Sequence, residues 1–238
     1  MKISESTTLR VVVYFNEEEN VFYRISDAAD FVVTQNLVIR SIGTEEGKIL
    51  VKAEKAGRGL VLRKIEKEDF DGAFELIREC AHEFRPQLSW RGRSIEDMTL
   101  NGLVIGKWQA YAYFGEDGRP ASYVDSKERV DGEVTLGTVA TRKEFRGLGL
   151  AAGLLFFHRL LYAASDINSG TYEENVGMRS TFKKAGFVPK HFTDPDTGED
   201  YIFIRDRWNP QYPGDMEKLT NSIYYCVPSL KEGIWKNR

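Results

Sequence analysis

The sequence has few of the residues that build metal sites and disulfide scaffolds. Two cysteines, Cys80 and Cys226, occur among 238 residues. A disulfide-rich secreted scaffold is therefore not expected, and a reducing cytoplasm is the simplest setting. The three histidines, His82, His158 and His191, are scattered without the spacing of a ligand set, so the sequence predicts no metal site.

Long apolar runs and an excess of one charge are also missing. No apolar segment approaches the roughly 20 residues that a membrane-spanning helix needs, and the first ten residues lack the apolar core of a secretion signal. Lysines and arginines number 33 against 36 aspartates and glutamates, which gives a net charge of −3. We therefore expect neither membrane insertion nor attraction of nucleic acid by the overall field.

The chain otherwise has the composition of an ordinary globular protein, with 42% hydrophobic and 29% charged residues. Its length suits one large domain with a small addition. We predict a small β-rich N-terminal extension over residues 1–58, a main domain over 59–206, and a tail over 207–238 that packs on this domain. The glycines on either side of Arg58 are a plausible joint.

The extension is predicted to contain strands and no helix of useful length. Apolar, β-branched runs separated by Asn-, Glu- and Gly-bearing breaks predict strands over 9–15, 21–25, 31–42 and 48–53, the third either continuous or broken near Asn36. The tail, in contrast, is expected to wrap the main domain. Its apolar anchors would be Ile223, Tyr224, Tyr225 and Trp235.

The main domain is predicted to alternate strands and helices. Before the core strand, the pattern predicts a strand over 60–66, a helix from Asp69 to about Ala81, a short helix from Ser94, and a hairpin over 107–114 and 120–125. After it, the pattern predicts a strand over 167–172, a helix over 175–185 capped by Asn175 and ended by Gly186, and paired strands over 187–192 and 201–205.

The segment 134–164 has the clearest organisation. An apolar run over 134–141 predicts a buried strand, and the mostly apolar residues after position 150 have helical length. Between them, Gly147 and Gly149 let a ligand approach the backbone without interference from a Cβ atom. The first amides of a helix have no intrahelical partner and attract anions. The succession of strand, glycine turn and helix start predicts a pyrophosphate site. Tight packing between the strand and the helix would equally explain Gly147 and Gly149.

Two common phosphate-binding loops do not fit this turn. No Lys-Ser or Lys-Thr pair follows the glycines, and their spacing differs from Gly-x-Gly-x-x-Gly. The pattern Arg146-x-x-Gly149-x-Ala151, led by Glu144-Phe145-Arg146-Gly147, instead resembles the coenzyme A loop of the GNAT N-acetyltransferase superfamily. A second GNAT-like pattern follows, in which Asn175 precedes Phe182 by seven residues and Lys-Lys-Ala-Gly-Phe comes next. The resemblance covers about residues 59–206.

The resemblance implies an α/β (α+β) fold, a mixed, mostly antiparallel twisted sheet with helices on both faces. It also implies an enzyme that transfers an acetyl group from acetyl-coenzyme A (acetyl-CoA) to the primary amine of a small molecule. The alternatives are a catalytically silent module that binds acyl-CoA as a sensor or assembly part and, less favoured, acetylation of protein lysines or N-termini. Dimerisation is left open.

The resemblance assigns the cofactor contacts residue by residue. The backbone of the core strand would pair with the pantetheine arm, the glycine turn would bind the pyrophosphate, and two downstream residues would contact the cofactor. In that order the residues are Val139, Ala140 and Thr141; Arg146, Gly147, Leu148, Gly149, Leu150 and Ala151; and Asn175 and Phe182. Asn175 is equally well explained as a plain helix cap.

The catalytic acid and base are less well specified. Glu133, at the start of the core strand, resembles the general base of one GNAT branch, and apolar walls would raise the pKa of such a carboxylate toward neutrality. A solvated glutamate in the turn Asp131-Gly132-Glu133 is the simpler interpretation. Many GNAT members have a tyrosine acid where this chain has Phe182. In this chain, water or Tyr172 would then protonate the leaving thiolate, or the chain has lost catalysis.

Two polar segments bear on the acceptor amine. One carries Arg85, Trp90, Arg91 and Arg93, which could hold an anionic group, and the other carries Asp194, Asp196, Glu199 and Asp200, which could attract a cation. Together they favour a zwitterion such as an amino acid or a diamino acid, and a faint local likeness to β-lysine acetyltransferases agrees. Ordinary solvated loops explain both segments as well.

Overall fold

A computed structural model describes residues 9–57, 59–80, 102–104, 106, 108–173, 175–193, 200–201, 203–205 and 221–230. Residues 10–55 form a four-stranded sheet in the order β2-β1-β4-β3, with one helix. These elements are β1 (Arg10–Phe15), β2 (Glu18–Phe22), α1 (Ile25–Thr34), β3 (Leu37–Glu45) and β4 (Lys48–Lys55). Strand β1 pairs with β4 in parallel, and the other pairs in this sheet are antiparallel.

Helix α1 corrects the prediction of strands alone in the extension. The run Phe31-Val32-Val33-Thr34 was predicted to begin a strand because β-branched residues favour extended structure. In the structure Ala28, Ala29 and Val32 are buried along one face of α1. Burial at three- and four-residue spacing therefore outweighs the local β preference. The strands predicted over 9–15 and 48–53 are confirmed, whereas the second is shifted to 18–22.

The main sheet has eight strands, of which seven follow the order β10-β14-β9-β8-β7-β6-β5 while β13 also pairs with β14. Its elements are β5 (Val61–Lys64), α2 (Phe70–Cys80), β6 (Gln109–Phe114), β7 (Pro120–Glu128), β8 (Val134–Thr141), α3 (Leu150–Leu161), β9 (Ile167–Tyr172), α4 (Val176–Lys184), β10 (Val188–Pro189), β13 (Phe203–Arg205) and β14 (Asn221–Val227). A separate pair consists of β11 (Phe192–Thr193) and β12 (Asp200–Tyr201). The predicted α/β architecture is confirmed, while the helix expected from Ser94 lies outside the described residues.

The C-terminal part of the sheet differs from the prediction. Strand β14 was expected to belong to a wrapping tail, but it lies inside the sheet and pairs antiparallel with β9 from Ser222 to Val227. The expected pairing of 187–192 with 201–205 is confirmed only where Phe192 faces Tyr201. Strands β10 and β13 pair with β14 instead. The division of the chain at residues 58 and 206 stays a prediction.

Helix α3 packs against both sheets. Gly153 brings it close to β3, since a Cβ atom added there would lie 2.7 Å from Val38 Cγ1 and 3.6 Å from the Ile39 carbonyl oxygen. The Tyr113 hydroxyl on β6 donates a 2.9 Å hydrogen bond to the Leu37 carbonyl oxygen on β3. One continuous apolar cluster accordingly joins the small sheet, α3 and one face of the main sheet.

The opposite face of the main sheet carries a second apolar cluster. Helix α2 buries Ala73, Phe74 and Ile77 against residues of β6, β7 and β8. The helices therefore lie on both faces of the sheet, as expected. No helix among the described residues is long and apolar enough to cross a membrane.

A glycine pair tests the close approach of α3 to β3. We expect Gly153→Val to lower the free energy of unfolding by about 1–3 kcal/mol, because the added atoms overpack the contact with Val38. Gly177→Val in α4 is the control, since a Cβ atom at Gly177 has only Asn175 Oδ1 within 4 Å, at 3.8 Å. Urea denaturation followed by circular dichroism measures both. A Gly153→Val protein as stable as the Gly177→Val protein would contradict this packing.

Candidate functional site

The central feature of the site is a gap in the main sheet. Strands β8 and β9 run in parallel and pair only at Val134 with Ile167 and at Thr135 with Asn168. Beyond these pairs the Ser169 hydroxyl donates a 3.2 Å hydrogen bond to the Leu136 carbonyl oxygen. The described pairing then ends, although both strands continue. The edge of β8 that faces β9 is thus separated from its neighbour along its second half.

The pairing of β8 with β7 indicates which backbone groups face this gap. The Arg142 N–H donates a 2.9 Å hydrogen bond to the Ala121 carbonyl oxygen. Because bonding alternates along an antiparallel pair, the backbone groups of Ala140 then point toward β7. Those of Val139 and Thr141 point toward the gap. Of the three residues expected to pair with a pantetheine arm, Val139 and Thr141 have the suitable orientation.

The predicted glycine turn lies at the end of β8 and begins helix α3. Gly147 and Gly149 have φ angles of +80° and +76°, which residues with a side chain rarely adopt. Gly149 is the N-cap of α3, and no side chain in the described part of the chain caps that helix end. The first amides of the helix therefore lack a side-chain acceptor and can bind an anion. A Cβ atom added at Gly147 would meet none of the described residues within 4 Å, which leaves space beside the turn among them.

The side chain of Arg146 joins this turn to the end of β8. Its Nε donates a 3.0 Å hydrogen bond to the Thr141 carbonyl oxygen, and its Nη2 lies 3.8 Å from Cys80 Sγ. Cys80 Sγ is itself 3.7 Å from the same carbonyl oxygen. Arg146 thus holds the strand end and the turn in a fixed relation. The cofactor contact of Arg146, like anion binding by the backbone amides of the turn, stays a prediction.

Glu133 lies at the paired end of the gap. Its carboxylate accepts a 2.9 Å hydrogen bond from Asn168 Nδ2, and its own N–H donates to Asp131 Oδ1 at 3.2 Å. The residue is half-buried. Asn168 belongs to the last residue pair that joins β8 and β9. The predicted base is therefore held next to the point where the strands separate, and its catalytic role stays a prediction.

The two downstream residues have structural roles in the described contacts. Asn175 Oδ1 accepts a 3.0 Å hydrogen bond from the Met178 N–H and so caps helix α4. Phe182 is 1% exposed, with its ring stacked on Tyr225 at a centroid distance of 4.9 Å and tilted against Phe187 at 5.3 Å. Helix capping is a sufficient reason for an asparagine at position 175, and packing in the core is a sufficient reason for a phenylalanine at position 182. Their contacts with a cofactor stay predictions.

The residues expected to recognise the acceptor fall largely outside the described part of the chain. These are Arg85, Trp90, Arg91, Arg93, Asp194, Asp196 and Glu199, together with the side chain of Asp200. The side chain of Tyr172, the alternative general acid, also lies outside the described part. The sequence analysis also predicted no metal site. Among the described residues, no group of three or more His, Cys, Asp or Glu side chains has a metal-binding arrangement.

A buried carboxylate, which the sequence analysis did not identify, lies beside the gap. On β7, Asp125 stands opposite two residues of β8, Gly137 and Thr138, because a bulge shifts the register between Val124 and Ser126. Asp125 Oδ1 accepts a 2.9 Å hydrogen bond from the Thr138 N–H. Asp125 Oδ2 accepts another of the same length from the Tyr123 hydroxyl. A single Asp in an apolar strand carries no sequence signal of this role.

Asp125 determines the local course of β8. It is 1% exposed, and burial raises the pKa of its carboxyl group to about 7. The hydrogen bonds from Thr138, Tyr123 and the Gly137 amide oppose this shift without cancelling it. Since the bulged amides are bound to Asp125, β8 resumes regular pairing only from Val139. The carboxylate thereby positions the backbone groups that border the gap.

The arrangement combines two kinds of binding surface. An open strand edge can pair with an extended amide-bearing chain, as in β-augmentation. A helix N-terminus at the end of the same strand can bind a diphosphate. An elongated ligand with amides and a diphosphate group would fit both at once.

Comparison with solved structures identifies the fold. The ribosomal-protein-S18-alanine N-acetyltransferase of Escherichia coli has a TM-score of 0.51 at 13% identity, with 71% of this chain and 93% of that protein covered. A GNAT-family acetyltransferase of Staphylococcus aureus has the same TM-score and identity, with 71% and 98% covered. Spermidine N-acetyltransferase of Vibrio cholerae has a TM-score of 0.50 at 11% identity, with 75% and 99% covered. No family model and no curated protein matches the sequence.

The raised pKa of Asp125 predicts how stability depends on pH. An acid whose pKa is higher in the native than in the unfolded chain stabilises the protein fully below the unfolded pKa of 3.8. This contribution declines as the pH rises toward 7. Asp125→Asn removes the titration while its amide still accepts from Thr138 and donates to Tyr123. Relative to the wild type, this variant should gain up to about 4 kcal/mol between pH 4 and pH 8.

Urea denaturation across this pH range measures the difference between the two proteins. Burial lowers the pKa of His158 to about 4, so this residue contributes to the pH dependence of stability with the opposite sign. Its contribution is the same in wild type and variant and therefore cancels in the comparison. Asp30→Asn, which changes an exposed carboxylate on α1, is the control and should follow the wild-type curve. A parallel pH dependence in wild type and Asp125→Asn would contradict the buried titration.

Proposed function

We propose that this chain, which has the GNAT acetyltransferase fold, is an acetyl-CoA-dependent N-acetyltransferase acting on the primary amine of a small molecule. The observation that carries the proposal is the gap between β8 and β9, which ends next to a helix begun by two positive-φ glycines. The strand edge suits the amides of a pantetheine arm, and the helix start suits its pyrophosphate.

The binding step would use mainly backbone groups. Val139 and Thr141 on β8 would pair with the pantetheine amides, and the amides of residues 147–151 would bind the pyrophosphate. An N–H that faces the gap would also donate to the thioester carbonyl oxygen. Such a donor stabilises the negative charge that develops on this oxygen when an amine attacks.

The proton of the attacking amine would leave through Glu133. The amine nitrogen forms a bond to the thioester carbon, and the carboxylate accepts the proton directly or through water. Asn168 holds one oxygen of this carboxylate at 2.9 Å, which fixes its orientation and leaves the other oxygen for the proton. The carbon–sulfur bond then breaks and releases the coenzyme A thiolate. The acetylated amine is the other product.

Phe182 supports the alternative of a catalytically silent acyl-CoA sensor. Its ring cannot protonate a thiolate, and it is buried between Tyr225 and Phe187. Thiolates nevertheless leave readily, so water is a sufficient acid, and the enzyme is favoured. Transfer to protein lysines or N-termini is a third, weaker alternative.

The acceptor is proposed to be a small amine that also carries an anionic group. The arginines at 85, 91 and 93 and the acidic residues at 194–200 are suited to such a zwitterion. The Vibrio cholerae neighbour acts on spermidine, a polyamine without an anionic group. Release of coenzyme A in the presence of a panel of amino acids, diamino acids and polyamines tests this choice. Turnover with polyamines alone would contradict the zwitterion.

Gly149 provides a test of cofactor binding. Because φ is +76° there, and because a Cβ atom would lie 2.5 Å from Arg40 Nη1, Gly149→Val should distort the turn. Acetyl-CoA should raise the melting temperature of the wild type by ligand linkage and that of this variant far less. Gly43→Ala is the control, since a Cβ atom there meets nothing within 4 Å. Equal shifts in all three proteins would remove the turn from the binding site.

Glu133 provides a test that separates the enzyme from the sensor. Glu133→Gln keeps the size of the side chain and the bond from Asn168 but loses the proton acceptor. Turnover should fall by at least about tenfold, while the affinity for acetyl-CoA stays the same.

Glu128→Gln is the control for that variant, since Glu128 is an exposed carboxylate opposite Val134 at the start of β8. An unchanged rate in Glu133→Gln would assign the proton to solvent or to Asp125. A wild type that binds acetyl-CoA but acetylates no amine in the panel would favour the sensor.

A further inference from the structure

Arg40 occupies a bulge in strand β3 of the N-terminal sheet. Ile39 pairs with Ala53 and Ser41 pairs with Lys52, so Arg40 is an extra residue without a partner on β4. The three residues before it, 37–39, are at most 1% exposed, whereas Arg40 is exposed. A bulge changes the direction of a side chain relative to regular alternation. Here it directs an arginine out of β3 directly after the three buried residues that begin this strand.

The guanidinium group of Arg40 lies against the glycine turn. Its Nη1 donates a 3.1 Å hydrogen bond to the Leu148 carbonyl oxygen, 108 residues along the chain. Its Nη2 forms a 2.5 Å ion pair with Glu54 on β4. Nη1 also occupies the space that a Cβ atom at Gly149 would need. Two of its five N–H groups are used by these bonds in the described part of the chain. One of the three remaining donors belongs to Nη1, which lies against the turn.

The position of Arg40 is fixed from both sides. The Tyr113 hydroxyl holds β3 through the Leu37 carbonyl oxygen, and Val38 packs against Gly153 one turn into helix α3. Glu54 holds the far end of the side chain. A cation restrained in this way loses little conformational freedom when it binds an anion.

We propose that Arg40 binds a phosphate group of acetyl-CoA and thereby makes the N-terminal sheet part of the cofactor site. The proposal rests on the proposed function, since it concerns the same ligand. The guanidinium adds a full positive charge to backbone amides that carry only partial charges. Arg146, although nearer in sequence, directs its Nε to the Thr141 carbonyl oxygen. The ligand chemistry is a phosphate ester or diphosphate, and coenzyme A contains both.

Replacing Arg40 with an uncharged residue tests its contact with a phosphate group of acetyl-CoA. Isothermal titration of acetyl-CoA should give a dissociation constant about tenfold weaker for Arg40→Gln than for the wild type, as expected for a charge-assisted hydrogen bond. Arg24→Gln removes the same charge from the same extension, at a side chain that is 74% exposed and paired with Asp27. This control should bind acetyl-CoA like the wild type. Arg40→Lys keeps the charge and should recover part of the affinity.

Two further measurements identify the contact and separate it from a structural role. Dephospho-coenzyme A lacks the 3′-phosphate of coenzyme A. If Arg40→Gln weakens the binding of coenzyme A and of dephospho-coenzyme A alike, the contact is with the pyrophosphate. A loss confined to coenzyme A assigns it to the 3′-phosphate. An ionic contact also makes binding weaken with salt, so Arg40→Gln should bind with a shallower dependence on KCl than the wild type. Loss of the bond to Leu148 alone would weaken binding equally at every salt concentration.

The outcomes distinguish this inference from the proposed function. A wild type that fails to bind acetyl-CoA overturns the proposed function itself. A wild type that binds, together with an Arg40→Gln protein of equal affinity and equal salt dependence, overturns only the role of Arg40. Equal losses in Arg40→Gln and Arg24→Gln would also overturn it, because they would indicate a general effect of charge.

Discussion

The early separation of β8 from β9 is the constraint on which the rest of the structure depends. Backbone groups in the middle of a sheet require partners, yet β8 is paired with β9 only at Val134 and Thr135. On the far side, β14 pairs along β9 and so holds it without help from β8. A ligand can then take the place of the missing partner. The glycine turn follows at the end of the same strand, so strand edge and helix start form one elongated site.

Helix α3 connects this site to the N-terminal sheet. Gly153 permits close contact with β3, and the apolar cluster continues from one sheet to the other. The first amides of the same helix belong to the proposed phosphate site. Packing on one side of a helix thus determines which side chains can reach its end. The extension is accordingly more than an appendage, because its position relative to the turn is determined by buried contacts.

The sequence predicted the elements whose signal is local. The apolar run over 134–141, the asparagine cap of α4 and the left-handed Gly186 at φ +81° all lie where expected. Helix α1 was missed because Val32 and Val33 favour a strand, and only tertiary burial decides otherwise. Strand β14 was missed because its partner lies about fifty residues earlier in the sequence. Asp125 and Arg40 were missed because each depends on a bulge, and a shift of one residue in pairing leaves no periodic pattern.

The insertion of β14 between β9 and β10 has a consequence for biosynthesis. A ribosome releases β9 some fifty residues before the segment that pairs with it, so the emerging chain carries an incomplete sheet with an exposed edge. Such an edge is a template for association between nascent chains. Closure of the sheet is a late event of high contact order, which is slow compared with helix formation. The same delay withholds the finished gap from ligands until residues beyond 220 have been translated.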